Sequence, residues 1–318
     1  LAALGKILVF TATYNEVENI GELVRQVFEA LPDCDMLVVD DNSPDGTGQL
    51  IEELKQRFPR LQTIHRPGKN GLGTAHKLAI KFALAQGYDA LITMDADFSH
   101  HPKYLPEMAK RLESAEFVIG SRYVPGGSCE YPLSRLVLSS TANFLTRTLL
   151  GIPLHETTTA YRGFRRALLE RMNIDAIRSD GYSFFVESIF QVSRLERGAK
   201  NAMGEFPIRF EDRRAGTTKI SKIEILNGMK TLGRLAAQRA VGGVDTTPRA
   251  ESSAPEICPV CGHGYNVEER PPATVRSVRE RLRTNGSGPP SREYKLRCLG
   301  CGRTYERPPS AEQTSGHA

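Results

Sequence analysis

Two carboxylates, Asp95 and Asp97, flank Ala96 directly after the apolar run Ala90–Met94. Alternate positions at the end of a strand turn both carboxylates toward one place, and hard oxygen donors suit magnesium or manganese. A cation held there would bind a diphosphate and stabilise the negative charge that grows as a nucleotide leaves. Two further polar clusters follow apolar runs: Tyr14-Asn15-Glu16, and Asp40-Asp41-Asn42-Ser43-Pro44-Asp45-Gly46-Thr47. Both join carboxylates to amide and hydroxyl groups that could hydrogen-bond a base and ribose. Pro44-Asp45-Gly46 is also simply a good turn. Lys69-Asn70-Gly71-Leu72-Gly73-Thr74 supplies a cation beside a Gly-rich helix entry, a plausible cradle for phosphate oxygens. No Walker-type Gly-Lys-Ser/Thr ending accompanies it.

A second chemistry lies near the C-terminus. Of the six cysteines, Cys34 and Cys129 stand alone, while Cys258-Pro259-Val260-Cys261 and Cys298-Leu299-Gly300-Cys301 form two Cys-x-x-Cys pairs. Four thiolates in two knuckle-like turns can enclose one tetrahedral structural zinc, and this spacing reads as metal binding rather than as disulfides. Between the knuckles an Arg-rich stretch, Arg276–Arg283, could meet nucleic acid, anionic lipid or a partner protein, with a solvated charged surface as its default reading.

The elements that must position the first cluster follow from periodicity. Strand-like runs at Ile7–Thr11, Met36–Val39, Leu61–His65, Ala90–Met94 and Phe117–Gly120 alternate with helical patterns at Ile20–Leu31, Gly48–Phe58, Gly73–Gln86 and Leu105–Glu113. That rhythm predicts an α/β domain with a mostly parallel sheet flanked by helices. In such sheets ligands sit beyond the carboxyl ends of the strands, so the three polar clusters should converge. Two amphipathic helices are expected at about 133–150 and 219–240. In the second, Ile220, Ile223, Leu226, Met229, Leu232 and Leu235 recur at three-to-four spacing among Lys222, Lys230, Arg234 and Arg239, which fits either a membrane interface or packing on the domain itself.

The expected organisation is a catalytic domain over 1–243, a Thr/Pro/Ser/Glu-rich linker over 244–255, a zinc-ribbon-like module over 256–307 and a disordered tail over 308–318. A net charge of +5 on 318 residues is too mild to single out a nucleic-acid partner. No run of about 18 apolar residues is present, and Leu1–Lys6 leads straight into a strand-like segment. The expectation is therefore a cytoplasmic protein without its own transmembrane helix, peripheral on the cytosolic face of a membrane.

The motifs Thr13-Tyr14-Asn15-Glu16, Val38–Thr47, Gly71-Leu72-Gly73-Thr74-Ala75, Met94-Asp95-Ala96-Asp97-Phe98-Ser99-His100-His101-Pro102 and Gly120-Ser121-Arg122-Tyr123 stand in an order and spacing that extend over roughly the first 240 residues. Together they resemble the dolichol-phosphate mannosyltransferase branch of the inverting family 2 glycosyltransferases. The resemblance implies a GT-A-type nucleotide-diphospho-sugar transferase fold. It also implies transfer of mannose from GDP-mannose to dolichyl or polyprenyl phosphate, giving a β-linked product. Alternatives are UDP-glucose or another nucleotide sugar as donor, or a catalytically silent domain serving a zinc-ribbon binding protein.

Carried over residue by residue, the resemblance places Tyr14, Glu16, Asp40, Asp41, Lys69, Asp95, Ala96 and Asp97 at the donor. It gives Asp95 and Asp97 to a Mg2+ or Mn2+ ion. Arg122, Arg135 and Lys219 fall to the acceptor phosphate, and Asp97, Arg122 and Arg213 to catalysis. His100 and His101, beside Pro102, are expected to shape the loop after the metal site rather than to act as bases. Glu187 falls near the acceptor side, with a local structural role equally open. The zinc ribbon (Cys258, Cys261, Cys298, Cys301) lies outside the usual transferase core. A separate membrane subunit is a possible partner. Two departures stand out: Ala12 replaces the common proline, and Glu156-Thr157-Thr158-Thr159-Ala160-Tyr161-Arg162 carries Glu for Asp and Ala for Gly. The second could alter acceptor geometry, sugar choice or activity.

Overall fold

The computed structural model describes residues 4–199, 202–211, 222–242, 265–269, 294–298 and 304–306. Two compact units divide the chain, Leu1–Ala254 and Pro255–Ala318.

In the first unit, β1 (Ile7–Thr13), β2 (Asp35–Asp40), β3 (Leu61–His65), β4 (Ala90–Thr93) and β5 (Phe117–Ser121) are the five strands expected from the apolar runs. They alternate with α1 (Val17–Ala30), α2 (Thr47–Arg57), α3 (Leu72–Ala85) and α4 (Leu105–Leu112). Residues of one strand point alternately to the two faces of a sheet. Leu8, Phe10, Leu37 and Val39 accordingly pack with Ala75, Ala79 and Ala83 of α3, whereas Val9, Met36 and Val38 pack with Ile20 and Leu23 of α1, Ile51 of α2 and Met108 of α4. Helices on both faces explain why β1 and β2 read as nearly continuous apolar runs.

Beyond β5 the chain adds β6 (Ser128–Cys129), α5 (Leu133–Leu150), β7 (Arg162–Arg165), α6 (Arg166–Arg171), α7 (Ser183–Leu195), β8 (Met203–Pro207), β9 (Arg209–Phe210) and α8 (Lys222–Ala240). The seven-stranded sheet has the order β3-β2-β1-β4-β7-β5-β8. All its pairings are parallel except those of β7, which runs antiparallel between β4 and β5. That strand was not evident in the sequence, because Arg162 and Arg165 end it. Arg162 is buried, and its guanidinium donates to the carbonyls of Thr157 (2.8 Å), Thr159 (2.7 Å) and Phe185 (2.9 Å) and to Ser188 Oγ (2.9 Å). Burial draws its pKa down to about 9.

Helix α5 has the expected bounds, and α8 begins at Lys222, residues 219–221 lying outside the described residues. Both are two-sided. Leu232, Leu235 and Ala236 of α8 pack on the core, while Ile225, Leu226 and Met229, together with Leu133, Val137, Leu138, Phe144, Leu145 and Leu149 of α5, are exposed.

In the second unit β10 (Tyr265–Glu269), β11 (Tyr294–Cys298) and β12 (Thr304–Glu306) form an antiparallel sheet in that order, with Tyr265 opposite Cys298 and Leu296 opposite Tyr305. Cys298 ends β11; Cys258, Cys261 and Cys301 lie outside the described residues.

The Gly-rich entry to α3 has a packing role. Gly71 has φ +93°, a conformation that favours glycine. Gly73 N–H donates to the Asp180 carbonyl at 2.7 Å, and a Cβ at Gly73 would stand 2.9 Å from Ser179 O, the Asp180 carbonyl carbon and Phe184 Cβ. Gly73→Ala should therefore overpack this contact and lower the free energy of unfolding by about 2 kcal/mol, measured by urea denaturation; an unchanged midpoint would contradict the packing role.

Candidate active site

The ends of β1 and β2 are tied to each other by side chains. Asp40, buried, accepts from Thr13 Oγ1 (2.9 Å), Ser43 N–H (3.1 Å) and Ser43 Oγ (2.6 Å). Asn15 N–H donates to Ser43 Oγ at 3.0 Å, Glu16 N–H to Thr47 Oγ1 at 3.0 Å and Val17 N–H to Asp45 Oδ2 at 3.1 Å. The Pro44-Asp45-Gly46 turn is thus also the latch between the first two polar clusters. Burial works to raise the Asp40 pKa, but His65, whose Nδ1 lies 3.9 Å away, and the Ser43 and Thr13 bonds prevail and hold it at about 2.

Asp41 is buried against Arg66, whose Nε donates to it at 2.5 Å. Burial pushes the Asp41 carboxyl up while the Arg66 charge pulls against it. Arg66 also donates to Thr74 Oγ1 at 2.5 Å, joining the second cluster to the start of α3. Sequence reasoning passed over Arg66; its one signal was a cation immediately after a strand that ends beside Asp40. Lys69 does reach the site: its Nζ lies 4.7 Å from the centroid of the Tyr14 ring, a cation–π contact.

The third cluster follows β4, which pairs with β1, so Asp95 and Asp97 leave the sheet beside the first cluster. Asp95 is one-third exposed and Asp97 is buried, with Ser99 N–H (3.1 Å) and Ser99 Oγ (2.6 Å) on its Oδ1. Ala96 is buried in the core between them. His100 fixes this loop from behind. Its Nδ1 accepts Asp95 N–H at 3.1 Å, so its Nε2 carries the proton and donates to Thr159 Oγ1 at 2.7 Å. The ring stacks on Tyr161 at 5.2 Å. His101 accepts Lys103 N–H at 3.1 Å and caps the 3-10 turn Pro102–Tyr104. Both histidines shape the loop, as the sequence indicated. Each polar cluster also contains one non-glycine residue in the left-handed region: Asn15 (φ 59°), Asn42 (φ 57°) and Phe98 (φ 66°). Such conformations persist only where their surroundings enforce them, and they gather at functional sites.

Arg122, directly after β5, is in a buried, bidentate pair with Glu156, Nε donating at 2.7 Å and Nη2 at 3.0 Å. Nη2 also donates to Thr158 Oγ1 (3.0 Å) and Nη1 to the Tyr131 hydroxyl (3.2 Å). Burial opposes both charges, yet their mutual attraction holds Glu156 below the usual carboxylate range and Arg122 above its ordinary value. The guanidinium lies 5.0 Å from the Phe210 ring, which meets His100 edge-on at 5.3 Å, so Arg122 adjoins the Asp95/Asp97 loop. Arg135 sits in the first turn of α5, and Arg213 and Lys219 lie outside the described residues. Glu187 is engaged elsewhere, accepting Ser179 N–H at 2.9 Å and pairing with Arg234.

Two measurements test this description. Because the folded Asp40 pKa is depressed, its ionised form contributes about 2 kcal/mol of stability above about pH 4, and this is lost as pH falls through about 2. Asp40→Asn should be less stable than the natural chain near neutrality, and the gap should close over that acidic window in urea titrations. Glu156→Ala leaves a buried guanidinium unpaired and should cost about 3 kcal/mol or more; a loss within experimental error would contradict the pair's structural role.

The Glycosyl transferase family 2 model matches residues 8–172. The chain is 42% identical over 229 residues to polyprenol monophosphomannose synthase of Mycolicibacterium smegmatis, covering 70% of this chain and 84% of that protein. It is 39% identical over 217 residues to undecaprenyl-phosphate mannosyltransferase of Micrococcus luteus, covering 68% and 88%. Among solved structures it is similar to glucosyl-3-phosphoglycerate synthase from Mycobacterium tuberculosis in complex with Mn2+, uridine diphosphate and phosphoglyceric acid, with a TM-score of 0.51 at 16% identity over 73% of this chain and 78% of the other. The fold is of the GT-A type, a mostly parallel sheet flanked by helices. By the extent of the family match and the identity to these relatives, the chain belongs to glycosyl transferase family 2.

Proposed function

We propose that the chain is an inverting, metal-dependent transferase that moves mannose from GDP-mannose to a polyprenyl or dolichyl phosphate at a membrane surface. One observation carries the metal-dependent chemistry: Asp95 and Asp97 leave β4 beside the Asp40 and Tyr14 clusters. Two carboxylates suit magnesium or manganese, which fill their other positions with water and substrate phosphates. Bound there, the ion would supply charge neutralisation for the departing nucleoside diphosphate. Relatives named for mannose transfer to polyprenol phosphates support the choice of sugar and acceptor.

The chain's own residues then have distinct tasks. Tyr14, Glu16, Asp40 and Asp41 bind base and ribose, and Lys69, held over Tyr14, lies toward the diphosphate. An acceptor monophosphate is already an anion near neutral pH, so its oxygen can attack the anomeric carbon without a side chain removing a proton. The bond to the leaving diphosphate breaks on the opposite face, which inverts an α-linked donor to a β-linked product. Arg122, locked by Glu156, presents a fixed positive charge to the acceptor phosphate together with Arg135, Arg213 and Lys219, and fixed charge stabilises a transition state without reorganising.

No described helix is long and apolar enough to cross a membrane. The exposed apolar residues of α5 and α8 support contact with a membrane interface instead, where a lipid acceptor resides. In the second unit, Cys258, Cys261, Cys298 and Cys301 are proposed to share one structural zinc.

Radiolabelled sugar transfer to a short polyprenyl phosphate tests the reading. Labelling from GDP-mannose with magnesium or manganese should be lost on chelation and should fall on the order of a hundredfold or more in Asp97→Ala. Labelling from UDP-glucose alone would replace the donor, and no labelling from any nucleotide sugar would overturn the reaction.

A further inference from the structure

A cavity of about 310 Å³ lies between the turn 178–183 and α8, lined by the cations Arg178, Lys230 and Arg234, by Ser183, and by the carboxylates Asp180 and Glu224. Among the described residues, none of those assigned to donor, metal or acceptor borders it. Its size is near the lower end of small-ligand sites, roughly 300–1,000 Å³.

Three cations converge here, and the nearby carboxylates have partners of their own. Asp180 takes Lys77 Nζ at 2.8 Å, Glu224 accepts Tyr182 N–H at 3.3 Å, and Glu187 pairs with Arg234 and accepts Ser179 N–H. Arg178 and Lys230 have no ion pair among the described residues. Burial, and secondarily the neighbouring Arg178, draws the Arg234 guanidinium below its ordinary value. The Ser183 hydroxyl borders the same cavity, is buried, and has no hydrogen-bond partner among the described residues. A buried polar atom without a partner costs free energy that a ligand accepting its proton would recover.

We propose that this cavity is a second anion site that binds a phosphate group, with Arg178 and Lys230 supplying charge, Arg234, held by Glu187, walling it, and Ser183 a hydroxyl donor. Guanidinium forks and hydroxyls match the several acceptor oxygens of phosphate. The placement on α8 indicates how a lipid could deliver that group. Asn227, Lys230, Thr231 and Arg234 recur at helical spacing on one face, and the adjoining face exposes Ile225, Leu226 and Met229. Lys230 stands one turn from Leu226, so a headgroup phosphate in the cavity would leave its chains along that apolar strip. The same chemistry would take a free phosphate ion. The turn that walls the cavity also receives Gly73 N–H at the Asp180 carbonyl, so the site abuts the entry to α3 and, through it, the donor side.

The test uses the full chain and does not depend on sugar transfer. Binding is measured for inorganic phosphate by calorimetry, and for vesicles of phosphatidylcholine with and without phosphatidic acid by co-sedimentation. The double variant Arg178→Gln/Lys230→Gln and, separately, Asn227→Glu, which places a carboxylate at the exposed rim, are compared with the natural chain. Binding should weaken on the order of tenfold in both, with the thermal midpoint unchanged and sugar transfer in detergent retained. An effect on vesicles alone identifies a lipid headgroup as the ligand, and one on free phosphate alone a soluble anion. Either supports the site. Equal binding by the natural chain and both variants, or no binding of either probe, overturns it.

Discussion

The buried pair between Arg122 and Glu156 is the constraint on which the site depends. Glu156 accepts not only both forks of the guanidinium but also Thr158 N–H, Thr158 Oγ1 and Thr159 N–H. It therefore fixes the loop 156–159, and Thr159 in turn receives His100 Nε2, whose other nitrogen accepts Asp95 N–H. One buried carboxylate thus sets, through three short bonds, the position of the backbone that presents Asp95 and Asp97. Arg162 anchors the far end of the same loop on α7 through the Phe185 carbonyl and Ser188. A pair of this kind is a weak source of net stability, since both charges must be desolvated, but it defines a geometry closely because either partner alone is so unfavourable.

The ends of β2, β1 and β4 are organised on the same principle with different groups. Three adjacent strands, β2, β1 and β4, end in polar clusters, and each contains a non-glycine residue in the left-handed region. The reversal aims the flanking carboxylates out of the sheet, and its cost is met by the latches between loops: Ser43 with Asn15, Thr47 with Glu16 and Asp45 with Val17. Phe98 is the extreme case, an aromatic side chain at φ 66°, held by its burial in the core cluster that also receives Ala96. Asp95 and Asp97 are thus carried on a loop anchored by two apolar side chains.

The first 121 residues were legible because the strands other than the edge strand β3 are buried on both faces and the helices have one apolar side, so composition and period coincide with structure. The polar clusters were legible because each directly follows such a strand. What escaped notice depends on contacts distant in sequence. Strand β7 begins and ends with arginine, and its place between β4 and β5 follows from Arg162 meeting Phe185 and Ser188, more than twenty residues away. Arg66 was passed over in the sequence, and only the fold brings it against Asp41. Gly71 and Gly73 suggested a phosphate loop because glycine marks any close approach to the backbone, and here the approaching group is the chain itself at Ser179–Asp180.

The same contacts bear on the departure at 156–162, which in the sequence kept open a silent domain. A longer carboxylate at position 156 would disturb the site only if the loop held it at the distance suited to a shorter one. Instead Glu156 meets Arg122 at 2.7 and 3.0 Å while completing the loop's own hydrogen bonds, so its extra length is absorbed by the arginine's placement at the end of β5. The added methyl of Ala160 is likewise accommodated: the residue packs in the core, and its carbonyl accepts Thr93 Oγ1 at 2.5 Å beside the metal loop. Neither change opens a cavity or removes a carboxylate from the strand ends. Both departures are accommodated by the contacts of the loop itself, and Asp95 and Asp97 keep their places at the end of β4.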